Sequence, residues 1–130
     1  MKINIEVSCG ELIDKLTILS IKQEKITDVQ KLKNISKETF YLESTAEKLT
    51  NFDEKAYESF YGKLRDVNEK LWNIEDEIRK LEMKKDFSKK FIKLARDVYI
   101  TNDERFDIKN RINIHFQSDV KEEKDYEKYE

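Results

Sequence analysis

The sequence contains no proline, only two glycines, one cysteine and one histidine. Sheet proteins need turn residues at regular intervals, so this composition disfavours a β-sandwich or a barrel. The single cysteine, Cys9, excludes a disulfide within the chain and suits a reducing cytoplasm, where we expect the protein to act. A zinc site would need carboxylates almost alone, and we therefore expect no metal and no cofactor.

Neither sign of charge dominates the sequence. The 26 basic and 28 acidic residues leave a net charge of −2, so we expect no nucleic-acid partner. No uncharged run approaches the ~20 residues of a membrane-spanning helix, which predicts no membrane insertion. Hydrophobic residues still make up 38% of the 130 residues, too many for a disordered chain. These proportions predict a single helical domain over residues 1–130 that ends in a charged tail, residues 121–130.

Capping residues and apolar spacing predict five helices in an all-α, antiparallel bundle. The first helix begins at Ser8, which forms a capping box with Glu11, and runs to about Lys33. We expect it to pack antiparallel to the third helix. The other four helices begin near Ser36, Asp53, Phe87 and Thr101.

The third helix carries the strongest pattern in the chain. Its apolar residues alternate at spacings of three and four, which predicts a heptad seam about 37 Å long, of the coiled-coil type. The seam residues are Tyr57, Phe60, Leu64, Val67, Leu71, Ile74, Ile78 and Leu81.

A second stripe follows the seam one residue further on. It is either a solvated flank with exposed ion pairs or one side of a binding groove with Trp72 as its apolar wall. Its residues are Tyr61, Arg65, Asn68, Trp72, Glu75, Arg79 and Glu82.

Outside the helices, Lys2–Val7 alternates apolar and polar residues, which predicts a short N-terminal β-strand. Arg111–Phe116 alternates in the same way and could pair with it. The helical spacing of Ile108, Ile112 and Phe116 favours a helix there instead. The strand must then lie as an extended arm or pair with a second copy, and the second case predicts a homodimer.

Two charged residues interrupt apolar stripes, Asp14 on the first helix and Arg96 on the fourth. Neither can be desolvated alone, so each needs an opposite charge nearby. We expect a cluster, either structural or ligand-binding, where the first, third and fourth helices meet. Its members are Asp14, Glu75, Asp76, Arg79 and Arg96. Asn102, Asp103 and Arg105 follow at a predicted helix N-terminus, where free N–H groups favour an anion, and could form the rim of the same pocket.

Enzyme motifs are largely missing. The sequence has no GxxxxGK[ST], GxGxxG or HExxH pattern. Glu104 and Asp107 match the ExxD half of a helical pyrophosphohydrolase site, but no ExxE lies at a suitable distance upstream. The sequence thus favours a protein without catalytic activity.

Four segments resemble a family of uncharacterised bacterial and phage proteins that is classed only as a domain of unknown function. They are GELIDKLTIL (Gly10–Leu19), VNEKLWNIEDEIR (Val67–Arg79), FIKLARDVYITNDER (Phe91–Arg105) and EEKDY (Glu122–Tyr126). The resemblance spans nearly the whole chain and implies an association with glycosyltransferase and surface-polysaccharide genes. It brings no known activity. The motif positions include Glu11, Asp14, Lys15, Asn68, Trp72, Glu75, Asp76, Arg79, Arg96, Asn102, Asp103 and Arg105.

Two functional hypotheses follow from the sequence. The favoured one is a non-catalytic helical binding module with a protein partner, an accessory factor in bacterial surface-glycan assembly. The alternative is a small enzyme or binder that acts on an anionic metabolite such as a sugar phosphate or sugar nucleotide.

Overall fold

The computed structural model describes all of residues 1–130 and contains three α-helices and no β-strand. The helices are α1 (Cys9–Lys25), α2 (Val29–Met83) and α3 (Lys89–His115). The prediction of an all-helical protein is therefore confirmed. The predicted strand at Lys2–Val7 does not form within the single chain, because no other segment pairs with it and residues 1–7 take part in no backbone–backbone hydrogen bond.

The predicted start of α1 is correct, but its predicted end is not. The Ser8 hydroxyl accepts a hydrogen bond from the Glu11 N–H at 3.0 Å, which satisfies one of the free donors of the first turn. The helix stops at Lys25 rather than at Lys33, since Ile26 is extended. Asp28 caps a new helix directly afterwards, with its carboxylate accepting from the Lys31 N–H at 2.9 Å.

The second helix, α2, is interrupted at Asp53, whose backbone is non-helical (φ −160°, ψ 92°). The Asp53 carboxylate accepts from the Ala56 N–H at 3.1 Å, so the predicted cap is present. In a straight helix Phe40 and Tyr61 would lie about 32 Å apart, yet both line one groove. The chain therefore reverses at Asp53, and we call residues 29–52 the first arm and residues 54–83 the second arm.

The third helix, α3, runs without a break through the position where two helices were predicted to meet. Thr101 is completely buried inside α3 rather than at a helix start, so the predicted capping box with Glu104 does not form. The apolar spacing on both sides of Thr101 continues through it, and packing outweighs the local capping preference. The preferred helical interpretation of Arg111–Phe116 is confirmed up to His115, where α3 ends.

Successive helical segments run in opposite directions. At one end of the second arm His115 Nε2 lies 2.9 Å from Asp53 Oδ2, and near the other end Leu94 packs in a core cluster with Leu81. Short connections between helices favour this arrangement.

The alternating direction of successive segments also corrects the predicted antiparallel packing of α1 on the second arm. The Gly10 N–H donates to Asn113 Oδ1 at 2.7 Å and Asp14 binds Arg105, so α1 runs antiparallel to α3. Since α3 is antiparallel to the second arm, α1 and the second arm run in the same direction. The expected antiparallel contact between them is wrong, because the first arm intervenes in the chain and reverses its direction.

The predicted seam on the second arm faces inward. All eight seam residues are buried or half-buried, and Leu64 is completely inaccessible to solvent. It belongs to the main core cluster, whose members are Leu12, Ile13, Leu16, Ala46, Leu49, Leu64, Ile108, Ile112 and Phe116. This core draws on every helical segment and holds α1 against α3.

Gly10 of α1 lies directly against the backbone of α3. A Cβ atom on Gly10 would lie 2.7 Å from the backbone oxygen of Lys109 and 3.0 Å from Asn113 Oδ1. Only glycine fits, because a backbone oxygen cannot rotate away as a flexible side chain can.

We therefore expect Gly10→Ala to lower the free energy of unfolding by about 2 kcal/mol, since overpacking a close contact costs about 1–3 kcal/mol. Gly62 is the matched control, because a Cβ there would meet nothing within 4 Å. Gly62→Ala should instead raise stability by about 0.5–1 kcal/mol through helix propensity. Urea unfolding measures both variants, and equal effects of the two would contradict the packing of α1 on α3.

Candidate functional site

A completely buried carboxylate, Asp14, lies at the centre of the polar interior. Arg105 of α3 approaches it with two guanidinium nitrogens, Nε at 2.9 Å from Oδ1 and Nη2 at Oδ2. Asn68 of the second arm donates to Asp14 Oδ1 at 2.8 Å. The hydrogen bonds to Asp14 raise the pKa of Arg105 even though burial opposes this. Asp14 does have the partner that its place in an apolar stripe requires, and that partner comes from α3.

Thr17 fixes the amide of Asn68 beside Asp14. Its hydroxyl donates to the Asp14 backbone oxygen at 2.7 Å and accepts from Asn68 Nδ2 at 2.9 Å. Asn68 Nδ2 therefore donates both of its N–H groups, one to Asp14 and one to Thr17, and these two hydrogen bonds fix the orientation of the side chain. Buried polar groups that are satisfied in this way hold neighbouring elements in one relative position.

Lys109 extends the charged interior towards the tail. Its Nζ lies 2.7 Å from Glu11 Oε2, 2.9 Å from Glu122 Oε2 and 4.0 Å from Asp14 Oδ2. Burial alone would lower the pKa of Lys109, but its hydrogen bonds to Glu11 and Glu122 outweigh burial and raise that pKa. We refer to Glu11, Asp14, Arg105, Lys109 and Glu122 as the buried ionic network, after its buried members Asp14 and Lys109. Its outer member, Glu122, has a side chain that is 40% exposed.

Glu122 anchors the tail to the start of α1. Its second carboxylate oxygen accepts a hydrogen bond from the Ser8 hydroxyl at 2.8 Å, and Ser8 is the N-cap of α1. Partial burial would raise the pKa of Glu122, but the hydrogen bonds from Lys109 and Ser8 outweigh it and lower that pKa. The tail therefore joins α1 and α3 at the same point.

Sequence reasoning missed Lys109 and Glu122. Lys109 follows Arg105 by one helical turn and precedes Ile112 on the buried face, so a cation among apolar residues was the available signal. Glu122 carried no such signal, because it lies in a run of charged residues that is indistinguishable from a solvated tail.

A groove of about 510 Å³ lies beside the buried ionic network, between α1, the second arm and α3. Trp72 and Leu71 form its apolar wall together with Ile18 and Ile21 of α1. The polar side chains that line it are Asn68, Glu75, Asp76, Arg79, Asn102 and Arg105. Five of the eight predicted site residues therefore meet in one groove, and Asp14 lies directly behind Arg105.

Arg79 lines the groove from an exposed position on the surface of the second arm. It is largely exposed, with its Nε 3.2 Å from Glu75 Oε2 one turn earlier. Asp76 is likewise exposed and pairs with Lys80 at 3.1 Å. Both are helix-surface ion pairs, so the second stripe is buried at Asn68 and solvated from Glu75 onward.

Arg96 does not join the site. It is exposed and forms neither an ion pair nor a hydrogen bond. The prediction that Arg96 interrupts an apolar core stripe is wrong, because its neighbours Ile92 and Tyr99 are themselves exposed. Its proposed meeting with Asp14 and Arg79 is therefore also wrong.

The predicted anion site at a helix N-terminus is also absent. Asn102, Asp103 and Arg105 lie in the middle of α3, where the backbone N–H groups are already used by the helix. Asp103 points away from the groove and binds Lys124 Nζ and the Tyr129 hydroxyl, the latter at 2.7 Å. These two hydrogen bonds lower the pKa of Asp103.

The tail, residues 121–130, contains no helix but packs along α3. Besides the contacts of Glu122 and Lys124, the Tyr129 ring stacks edge-on with the Tyr99 ring at a centroid distance of 5.2 Å. A second groove of about 770 Å³ lies between the tail and α3. Asn102 and Arg105 line both grooves, so α3 presents them between the two.

No group of three or more histidine, cysteine, aspartate or glutamate side chains is placed to hold a metal ion. In addition, none of the three helices combines the length and the apolar character that a membrane crossing requires.

The fold and the site together define an all-helical protein with a tryptophan-walled polar groove set against a buried ionic network. The chain belongs to DUF6165, a family of unknown function, whose model matches residues 1–129. The matched region thus includes the four motif segments and both ends of the buried ionic network, Glu11 and Glu122. Comparison with curated proteins and with solved structures gave no match.

The contact of Glu122 with Lys109 and Ser8 predicts a pH-dependent contribution to stability. We expect Glu122→Gln to lower the free energy of unfolding by about 1 kcal/mol at neutral pH, since solvent weakens a charge-assisted hydrogen bond. The folded pKa of Glu122 lies below its unfolded value of about 4.3. Its contribution is therefore complete above that value and is lost as the pH falls through the folded pKa.

Urea unfolding of wild type and Glu122→Gln between about pH 3 and pH 7 tests this. The stability difference should hold down to about pH 5 and shrink below about pH 4. Glu123→Gln is the control, because Glu123 is exposed and has no ion pair or hydrogen bond. A difference that stays constant to about pH 3, or an equal loss in the control, would show that Glu122 does not anchor the tail.

Proposed function

We propose that this protein is a non-catalytic binding module that holds a neutral saccharide unit in the groove between α1, the second arm and α3. The observation that carries the proposal is the half-buried Trp72 in a groove bordered by amide, carboxylate and guanidinium groups. A sugar ring has an apolar C–H face that packs on an aromatic ring. It also has a rim of hydroxyls that donate to carboxylates and accept from amides and guanidinium groups.

The charge of the groove favours a neutral ligand over an anionic one. Asp14 balances Arg105, and Glu75 balances Arg79. Asp76 is paired with Lys80. With every cation already opposed by a carboxylate, the groove offers no excess positive charge to a phosphate. This argues against the alternative function, an enzyme or binder for a sugar phosphate or sugar nucleotide.

The chemistry of the lining favours binding over catalysis. No serine, threonine, cysteine, histidine, lysine or tyrosine is among the residues that line the groove. Glycoside cleavage can instead use two carboxylates, one of them held protonated by burial. The two carboxylates that line this groove are both exposed and ion-paired on the helix surface. The groove instead offers fixed hydrogen-bonding groups, since Asn68 is held by Thr17 and Arg105 by Asp14. Groups fixed in advance bind a ligand at a smaller entropic cost.

We propose that this module, encoded by a bacterium or a phage, acts in the bacterial cytoplasm as an accessory factor in surface-glycan assembly. The sequence resemblance to proteins whose genes accompany glycosyltransferases supports the glycan context. The single cysteine, Cys9, is compatible with a reducing compartment.

Trp72 is the only tryptophan and reports directly on the groove. We expect neutral mono- and oligosaccharides to shift its fluorescence emission to shorter wavelength as the ring is covered. Asn102→Ala should weaken binding about tenfold through the loss of one hydrogen bond, since about 1.4 kcal/mol corresponds to a factor of ten. Asn110→Ala is the control, because Asn110 is exposed on the same helix and does not line the groove.

The same titration separates the two functions. Binding of phosphorylated sugars or sugar nucleotides alone, with no response to neutral sugars, would support the alternative and overturn the proposal. The absence of any fluorescence change across all of these ligands would also overturn it. Equal losses of affinity in Asn102→Ala and Asn110→Ala would place the ligand outside this groove.

A further inference from the structure

Residues 1–7 precede α1 without any secondary structure and lie against the bundle at two points. Val7 packs against the main core cluster, and the Lys2 ammonium lies 4.7 Å from the centre of the Tyr41 ring on the first arm. Between these points Ile3 and Ile5 are 77% and 76% exposed. The segment therefore presents two large aliphatic side chains and a row of unpaired backbone groups to solvent.

The sequence of this segment, KINIE at residues 2–6, is complementary to itself when reversed. If two copies pair antiparallel with Asn4 opposite Asn4, Lys2 of each copy faces Glu6 of the other. Ile3 of each copy then faces Ile5 of the other. Opposite charges and branched aliphatic residues are the cross-strand pairs that stabilise antiparallel strands. A shift of register by two residues still places aliphatic residues opposite each other but removes both Lys2–Glu6 pairs, so the charges select this register.

We propose that a second copy of this chain pairs with residues 2–6 as an antiparallel two-stranded ribbon, with a two-fold axis at Asn4. None of residues 2–6 lines the groove between α1, the second arm and α3, so this dimer is independent of the proposed saccharide binding. The resulting assembly is a closed dimer, because a strand pair on a two-fold axis uses the same surface of both copies.

Attachment to the bundle makes the short ribbon feasible. Two strands alone are marginally stable in water, because their few contacts barely offset the loss of backbone conformational entropy. Here Val7 packs on the core and Ser8 is fixed as the α1 cap, with extended backbone angles (φ −71°, ψ 158°). One end of each strand is therefore already ordered before pairing, and pairing also covers Ile3 and Ile5.

A disulfide trap tests the register. In Cys9→Ser/Asn4→Cys the two new cysteines would face each other with Cα atoms about 4.5–5.5 Å apart, which is within disulfide range. In the matched control, Cys9→Ser/Glu6→Cys, the two sulfur-bearing residues would be offset by four positions, about 14 Å along the ribbon. We expect oxidation to yield a covalent dimer at least ten times faster in the first variant than in the control.

Charge exchange and strand disruption supply a second readout on the full chain. By light scattering, wild type should be dimeric and Ile5→Pro monomeric, with unchanged helix content by circular dichroism. Lys2→Glu should weaken the dimer, and Lys2→Glu/Glu6→Lys should restore it because the two charges exchange across the axis.

Three results would overturn the proposal. These are equal cross-linking rates of the two cysteine variants, a wild-type mass that stays at 15.7 kDa over a wide concentration range, and a dimer that Ile5→Pro leaves intact.

Discussion

The structure depends on how the charge of Asp14 is balanced. A carboxylate with no exposed surface costs several kcal/mol unless it is paired and fully hydrogen-bonded. Here Arg105 supplies a two-nitrogen contact and Asn68 a third donor, so the carboxylate joins α1, α3 and the second arm at one point. Apolar packing alone would allow these helices to slide or rotate, whereas the planar guanidinium contact requires one relative position.

The same contact determines the chemistry of the groove. Arg105 lines the groove while its charge is balanced from behind by Asp14, so it acts as a fixed hydrogen-bonding group rather than as a free cation. Lys109 extends the network to Glu122 and thereby to the tail. The fold and the binding surface therefore share residues, and a change in the packing of α3 would alter both.

The sequence predicted the parts of this structure that depend on local signals. Periodic apolar residues located the buried seam of the second arm, and the caps at Ser8 and Asp53 are present. Asp14 was predicted to need a partner, but that partner lies 91 residues away and no spacing identifies it. The capping signal at Thr101 and the alternation at Lys2–Val7 failed for a related reason, since packing and the lack of a pairing strand outweigh local preference. Arg96 shows that apolar neighbours in sequence do not establish a buried face.

A double-mutant cycle on Asp14 and Arg105 tests the central claim most directly. The free energy of unfolding is measured for wild type, Asp14→Ala, Arg105→Ala and the double variant. The account predicts that each single variant loses about 3–5 kcal/mol and that the double variant loses at least about 2 kcal/mol less than the sum. The exposed pair Glu75 and Arg79 is the control and should be additive within about 0.5 kcal/mol. Additive losses at Asp14 and Arg105 would contradict the account.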